Sequence, residues 1–205
     1  MRDGIELTKW VAVGAMLYDH LEVFSGWSLP FASAVGALAF PMFAIALGAA
    51  LAEAQGEKRR LVVRRLVVAG LIAQVAVLLV RDALPLNVLF TMASGVMAYS
   101  ALEESSGWRS VGRIAFALAL GTLSEFQFIG TGVIVAALSH YRRGTSIWWI
   151  YAASLPLFAF NEMQLVAPLG VLGGMWLIEN GPKIPRVKRA FYPVYILQYP
   201  FLRFL

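Results

Sequence analysis

Two adjacent ionisable residues, Asp19 and His20, sit in the middle of an apolar run, Ile5–Phe24, where neither belongs on hydropathy alone. Charged or titratable groups inside a spanning helix cost several kcal/mol, so they usually face the bundle interior and mark function. His20, with an ordinary pKa near about 6.5, is suited to take a proton from an attacking amine or hydroxyl. Neighbouring residues on a helix point about 100° apart, so Asp19 is poorly placed to bond His20 directly. It is assigned a separate role, holding the substrate or orienting another group. The same pair would also serve as an interhelical lock, and both readings fit the residue types.

Other polar side chains lie at a similar depth. Asp19 and His20 are about 14 residues into their helix, roughly 21 Å from its start. Gln74 lies equally far into the run Leu61–Val80, and Asn87 and Thr91 open the run Leu86–Leu102 from the opposite side. Gln74 and Asn87 are amide donors of the kind a developing oxyanion needs. Glu125 and Gln127 fall near the same surface. Metal chemistry is not expected: the chain has no cysteine and only two histidines, His20 and His140.

Nine apolar runs are needed to carry these residues: Ile5–Phe24, Phe31–Ala54, Leu61–Val80, Leu86–Leu102, Val111–Leu123, Phe128–Ser139, Ser146–Phe160, Gln164–Ile178 and Ala190–Leu205. Pro30, Pro85, Gly107, Gly144 and Gly181-Pro182 separate them as helix breakers. Hydrophobic residues make up 60% of the 205-residue chain and charged ones only 14%, too little polar surface for a soluble domain. The predicted fold is an all-α membrane protein, a bundle of about nine transmembrane helices forming one domain, 1–205. The first run lacks a cleavage site of signal-peptide type, so it is expected to remain in the membrane.

Charge gives the bundle a direction. With a cytoplasmic N-terminus and nine crossings, 15 of the 17 Lys and Arg fall inside, leaving Arg81 and Arg203 outside. Reading Val111–Ser139 as one helix would send Arg142 and Arg143 outward, so a turn is placed there, at Glu125, Gln127, Gly130 and Thr131. The C-terminus is then periplasmic. The net charge of +5 is accounted for by these loops, and nucleic acid is not expected as a partner. Gly170, Gly173 and Gly174 read as close helix contacts, because no strand precedes them to make a phosphate loop.

Several short motifs follow one another in a recognisable order. Asp3-Gly4-Ile5 and Met16-Leu17-Tyr18-Asp19-His20 come first, then Ala39-Phe40-Pro41-Met42-Phe43-Ala44. Arg65-Leu66, Leu71-Ile72-Ala73-Gln74, Asn87-Val88-Leu89-Phe90, Gly130-Thr131-Gly132 and Phe191-Tyr192-Pro193-Val194-Tyr195 complete the series. Together they resemble the TraX family of conjugative pilin acetylases, over nearly the whole chain. The resemblance implies acetyl transfer from acetyl-CoA to the N-terminal amine of a pilin subunit, at the bacterial inner membrane. It makes Asp19 and His20 the catalytic centre, with Arg65, Gln74 and Asn87 in support. Two positions depart from the family pattern: its arginine before the Ala-Phe-Pro run is Ala37 here, and its closing histidine is Gln198, or Tyr199 with a one-residue slip.

Acetyl-CoA is polyanionic, and Arg64, Arg65, Arg142 and Arg143 offer a basic cytoplasmic face for its phosphates, joined by Arg59, Arg60 and the loop from Lys183 to Arg189. Thr91 and Gln198 complete the expected polar layer. Acylation of an envelope glycan or lipid, or a non-enzymatic role in pilin assembly, are the alternatives from other classes.

Overall fold

Among the described residues, two helices rich in small and aromatic apolar residues are the most buried, and other helices pack against them. The computed structural model describes residues 4–80, 86–103, 107–159, 166–185 and 191–203. Its helices are α1 (Ile5–Ser25), α2 (Ala32–Leu51), α3 (Glu57–Val80), α4 (Val88–Glu103), α5 (Trp108–Thr122), α6 (Gln127–Arg143), α7 (Trp148–Ser154), α8 (Ala167–Asn180) and α9 (Phe191–Arg203), with a 3₁₀ segment, Leu155–Ala159, after α7. The all-α expectation holds among the described residues, and each predicted run coincides with a helix to within a few residues. Arg2, Asp3, Arg81, Pro85, Phe160, Gln164, Arg186, Lys188, Arg189, Ala190 and Leu205 lie outside the described residues.

α2 and α4 are buried almost all round, from Ala37 to Leu51 and from Val88 to Ala101. Their interior faces are studded with Ala, Gly and Ser, which let neighbouring backbones approach closely. A Cβ on Gly95 would come within 2.5 Å of Ile134 in α6, and one on Gly48 within 2.9 Å of the Ala137 backbone. A Cβ on Gly170 would fall 2.6 Å from the Leu38 carbonyl oxygen, and one on Gly174 would lie 3.4 Å from Ile45 and Met42, so both positions bring α8 onto α2. A Cβ on Gly173, by contrast, would meet nothing within 4 Å. Two of the three α8 glycines therefore make the close contacts expected of them.

Helix ends follow local chemistry. Gly26 ends α1 at φ 72° and Gly144 ends α6 at φ 67°, left-handed positions that glycine tolerates best. The break between α5 and α6 is real, but it sits earlier than expected. Leu86 donates to the Leu123 carbonyl at 2.9 Å, and Glu125 N–H donates to the Leu86 carbonyl at 2.7 Å. This backbone bridge pins the turn at residues 123–126. Gly130 and Thr131 lie instead within α6, where Gly130 admits the Thr91 methyl and the Phe126 side chain.

Apolar residues also cover the outside. On α3, Val68, Leu71, Ile72, Val75 and Leu79 make one exposed face at helical spacing, and Leu79 is 70% exposed. Among the described residues, two helices, Ala32–Leu51 and Glu57–Leu79, are long and apolar enough to cross a membrane, and Val88–Glu103 is a shorter apolar helix.

Candidate functional site

His20 lies about three quarters of the way along α1, near the end of the bundle where α1 turns into α2. α9 returns to this region and brings Gln198, which is buried. His20 Nδ1 is 3.1 Å from Gln198 Oε1. A carboxamide oxygen only accepts, so this contact requires Nδ1 to be the donor. The Gln198 Nε2 group is turned toward the Met16 sulfur, 3.9 Å away and one helical turn before His20. The amide is thereby oriented between two residues of the same helix face.

Asp19 points elsewhere, as its position on the helix requires. A Cβ on Gly36 would fall 2.5 Å from both Cβ and Cγ of Asp19. Asp19 therefore packs onto α2 at a place where only glycine leaves room. Ala37, the next residue, is 2% exposed and enclosed. Pro41, one turn later, has no N–H to close onto the Ala37 carbonyl.

Gln74 and Asn87 form a second group, between α3 and α4. Gln74 Oε1 accepts from the Asn87 backbone N–H at 2.9 Å and from Asn87 Nδ2 at 3.0 Å. Asn87 Nδ2 also donates to the Gly70 carbonyl at 2.8 Å, and its Oδ1 caps α4 by accepting from Leu89 N–H at 3.1 Å. Both amide hydrogens of Asn87 are thus committed. Gln74 Nε2 is buried with no hydrogen-bond partner among the described residues, so it is the donor in this group with capacity to spare.

Thr91 belongs to a third group, between α4 and the α5–α6 turn. Its Oγ1 is 2.8 Å from Ser124 Oγ, and Ser124 in turn donates to the Gly121 carbonyl at 2.7 Å. One turn along α4, Ser94 bonds to Thr131 of α6. Serines are common in loops and helices alike, and nothing in the sequence marked Ser94 or Ser124. Glu125 and Gln127 are exposed beside this turn, with Gln127 at φ 49°.

The arginines divide. Arg64 and Arg65 are exposed on the flank of α3. Arg142 and Arg143, at the end of α6, meet Glu103 at the end of α4, with N–O distances of 3.5 Å and 3.9 Å. Arg59, from the first turn of α3, bonds Glu103 as well. The sequence places Arg59 on the basic face with these arginines but does not mark Glu103. The available signal was an acid placed at the same bundle end as two basic pairs. This end is opposite to the one that holds His20.

A family described as TraX protein matches residues 4–204 of the chain. Protein TraX of Escherichia coli is 29% identical over 138 residues, which cover 66% of this chain and 54% of its own length. The chain thus spans about half the length of the curated relative it matches. No solved structure matches.

Proposed function

The chain belongs to the TraX family, and from that premise we propose that it is a multi-pass inner-membrane enzyme moving acetyl from acetyl-CoA to the N-terminal amine of a conjugative pilin subunit. The observation that carries this reading is the His20–Gln198 contact, 3.1 Å long, which holds an imidazole of α1 against a buried amide of α9. An imidazole held in place suits the work of a base.

The outward apolar faces support the membrane setting. Exposed Val68, Leu71, Ile72 and Val75 on α3 have no place in water but suit lipid acyl chains. Trp108 and Trp148, 90% and 73% exposed, open α5 and α7 at the bundle end where the arginines gather, as interfacial anchors would. We place that end in the cytoplasm and the His20 end toward the periplasm, with the C-terminus outside.

Acetyl-CoA fits the residue chemistry as co-substrate. Arg142 and Arg143, with Arg64 and Arg65 on the flank, suit its phosphates, and no metal enters the scheme. When bound, it supplies the acetyl group by cleavage of its C–S bond and departs as the thiol. His20 Nε2 takes the proton that the pilin amine loses as the new amide bond forms, and is the group able to return it to the departing sulfur. An α-amino group titrates near about 7.7–8.0, within reach of a histidine base. Gln74 Nε2 is assigned as N–H donor to the acetyl oxygen, and Thr91 and Asn87 hold the helices that present it. Asp19 is assigned to binding the incoming amine.

Intact-mass analysis of the cognate pilin, with and without this gene, tests the reading. The pilin should lose one acetyl group when the gene is deleted. An unchanged mass would remove pilin as the acceptor, and a change confined to envelope glycan or lipid would redirect the acyl transfer to those.

A further inference from the structure

Around the last residue of α4, the four charged side chains Arg59, Arg142, Arg143 and Glu103 meet without balancing. Glu103 accepts from Arg59 and from Tyr99 Oη, the latter at 3.0 Å, and lies within 3.9 Å of both Arg142 and Arg143. Among the described residues, three guanidinium charges face one carboxylate, an excess of two positive charges. They border a cavity of about 390 Å³ that Arg59, Ser100 and Glu103 line together with Gln55.

Arg59 is the unusual member. It is 3% exposed, yet its Nε and Nη2 have no hydrogen-bond partner among the described residues. Its guanidinium carbon lies over the Tyr99 ring, 4.9 Å from the centroid, a contact that satisfies neither N–H group. Buried guanidinium donors are normally paired, because each one left unmet costs the desolvation it suffered. Arg142 is held from behind by the Ala52 carbonyl, 3.1 Å from its Nη1, so its remaining N–H groups are steadied near the same cavity.

We propose that this cavity is a binding site for a phosphomonoester dianion, with Arg59 as its buried fork and Glu103 as an internal counter-ion that the ligand competes against. A phosphomonoester carries close to two negative charges near neutral pH, which matches the excess on the three arginines. Its oxygens suit the planar N–H fork of a guanidinium better than they suit lysine. Two sources carry this chemistry at a membrane surface, the phosphomonoester of coenzyme A and the headgroup of phosphatidic acid. The inference rests on the acetyl-CoA reading only where coenzyme A is the probe.

The test uses the full chain in phosphatidylcholine nanodiscs, which bring no competing monoester. Binding of coenzyme A is compared with dephospho-coenzyme A, which lacks only that group, and retention of doped phosphatidic acid is followed by native mass spectrometry. A soluble ligand is indicated if coenzyme A binds about tenfold tighter than its dephospho form and Arg59→Gln abolishes the difference. A lipid ligand is indicated if Arg59→Gln instead loses retained phosphatidic acid. Glu103→Gln keeps every arginine and removes the competitor, so it should tighten whichever ligand binds by several-fold, a gain that misfolding cannot mimic. Equal binding of both probes by wild type, Arg59→Gln and Glu103→Gln would overturn the site. Phosphatidic acid retained through Arg59 in a chain that transfers no acetyl would leave the site standing and remove the enzyme. Acetyl transfer with monoester binding indifferent to Arg59 and Glu103 would do the reverse.

Discussion

His20 Nδ1 and Gln198 Oε1 lie 3.1 Å apart, joining the first helix of the bundle to the last. The contact ties the imidazole of α1 to a buried amide of α9 and so helps to set its orientation. Replacing Gln198 by Ala should remove this control without removing the base. A neutral hydrogen bond is worth about 1 kcal/mol, so kcat/KM for acetyl transfer should fall roughly fivefold. Gln198→His, which restores the residue type of the family pattern, should retain most of the activity. A Gln198→Ala enzyme with unaltered kcat/KM would show that the contact plays no part in positioning.

Asp19 depends on the absence of a side chain at position 36. Gly36→Ala places a Cβ 2.5 Å from Asp19 Cγ and should destabilise the protein by about 1–3 kcal/mol, read as a lower unfolding temperature. Gly132→Ala is the control. With nothing within 4 Å of the added atom it should gain stability, by up to about 1 kcal/mol from helix propensity.

Asn87 ties α3 to α4 through both of its amide hydrogens and caps α4 with its Oδ1. Asn87→Ala removes the α4 cap and leaves the Gly70 carbonyl and Gln74 Oε1 short of donors, a loss of about 2 kcal/mol. Asn87→Asp keeps the cap acceptor but turns a buried carboxylate oxygen onto the Gly70 carbonyl and Gln74 Oε1, so its unfolding temperature should fall at least as far as that of Asn87→Ala.

The chain contains no cysteine, so single-cysteine variants need no prior removal of native thiols. Ser28→Cys, in the turn between α1 and α2, should react with an impermeant thiol reagent added to the periplasmic side. Ser146→Cys, between α6 and α7, should react only after the cytoplasmic side is opened. The opposite pattern would invert the orientation proposed here.

Helix positions were legible because apolar runs and Gly or Pro breaks are local properties. The α5–α6 turn was found for the same reason, although its position is set by a long-range bridge between Leu86 and Ser124 that no local pattern encodes. The depth of Gln74, Asn87 and Thr91 could be counted along the chain, but the helix face each presents could not. Depth suggested one polar layer; rotation about the helix axes places Gln74 with Asn87, Thr91 with Ser124 and His20 with Gln198. Glu103 was invisible for a related reason. Its significance lies in three arginines from two other helices, and sequence distance hides such a meeting.

The claim that His20 is the base of an acetyl transfer is tested most directly by one measurement, the intact mass of the cognate pilin from cells carrying wild-type or His20→Ala protein at equal membrane levels. General-base catalysis contributes about 10²–10⁴-fold, so the variant should leave the pilin essentially without its acetyl group. A pilin acetylated to the wild-type extent by His20→Ala would contradict the account.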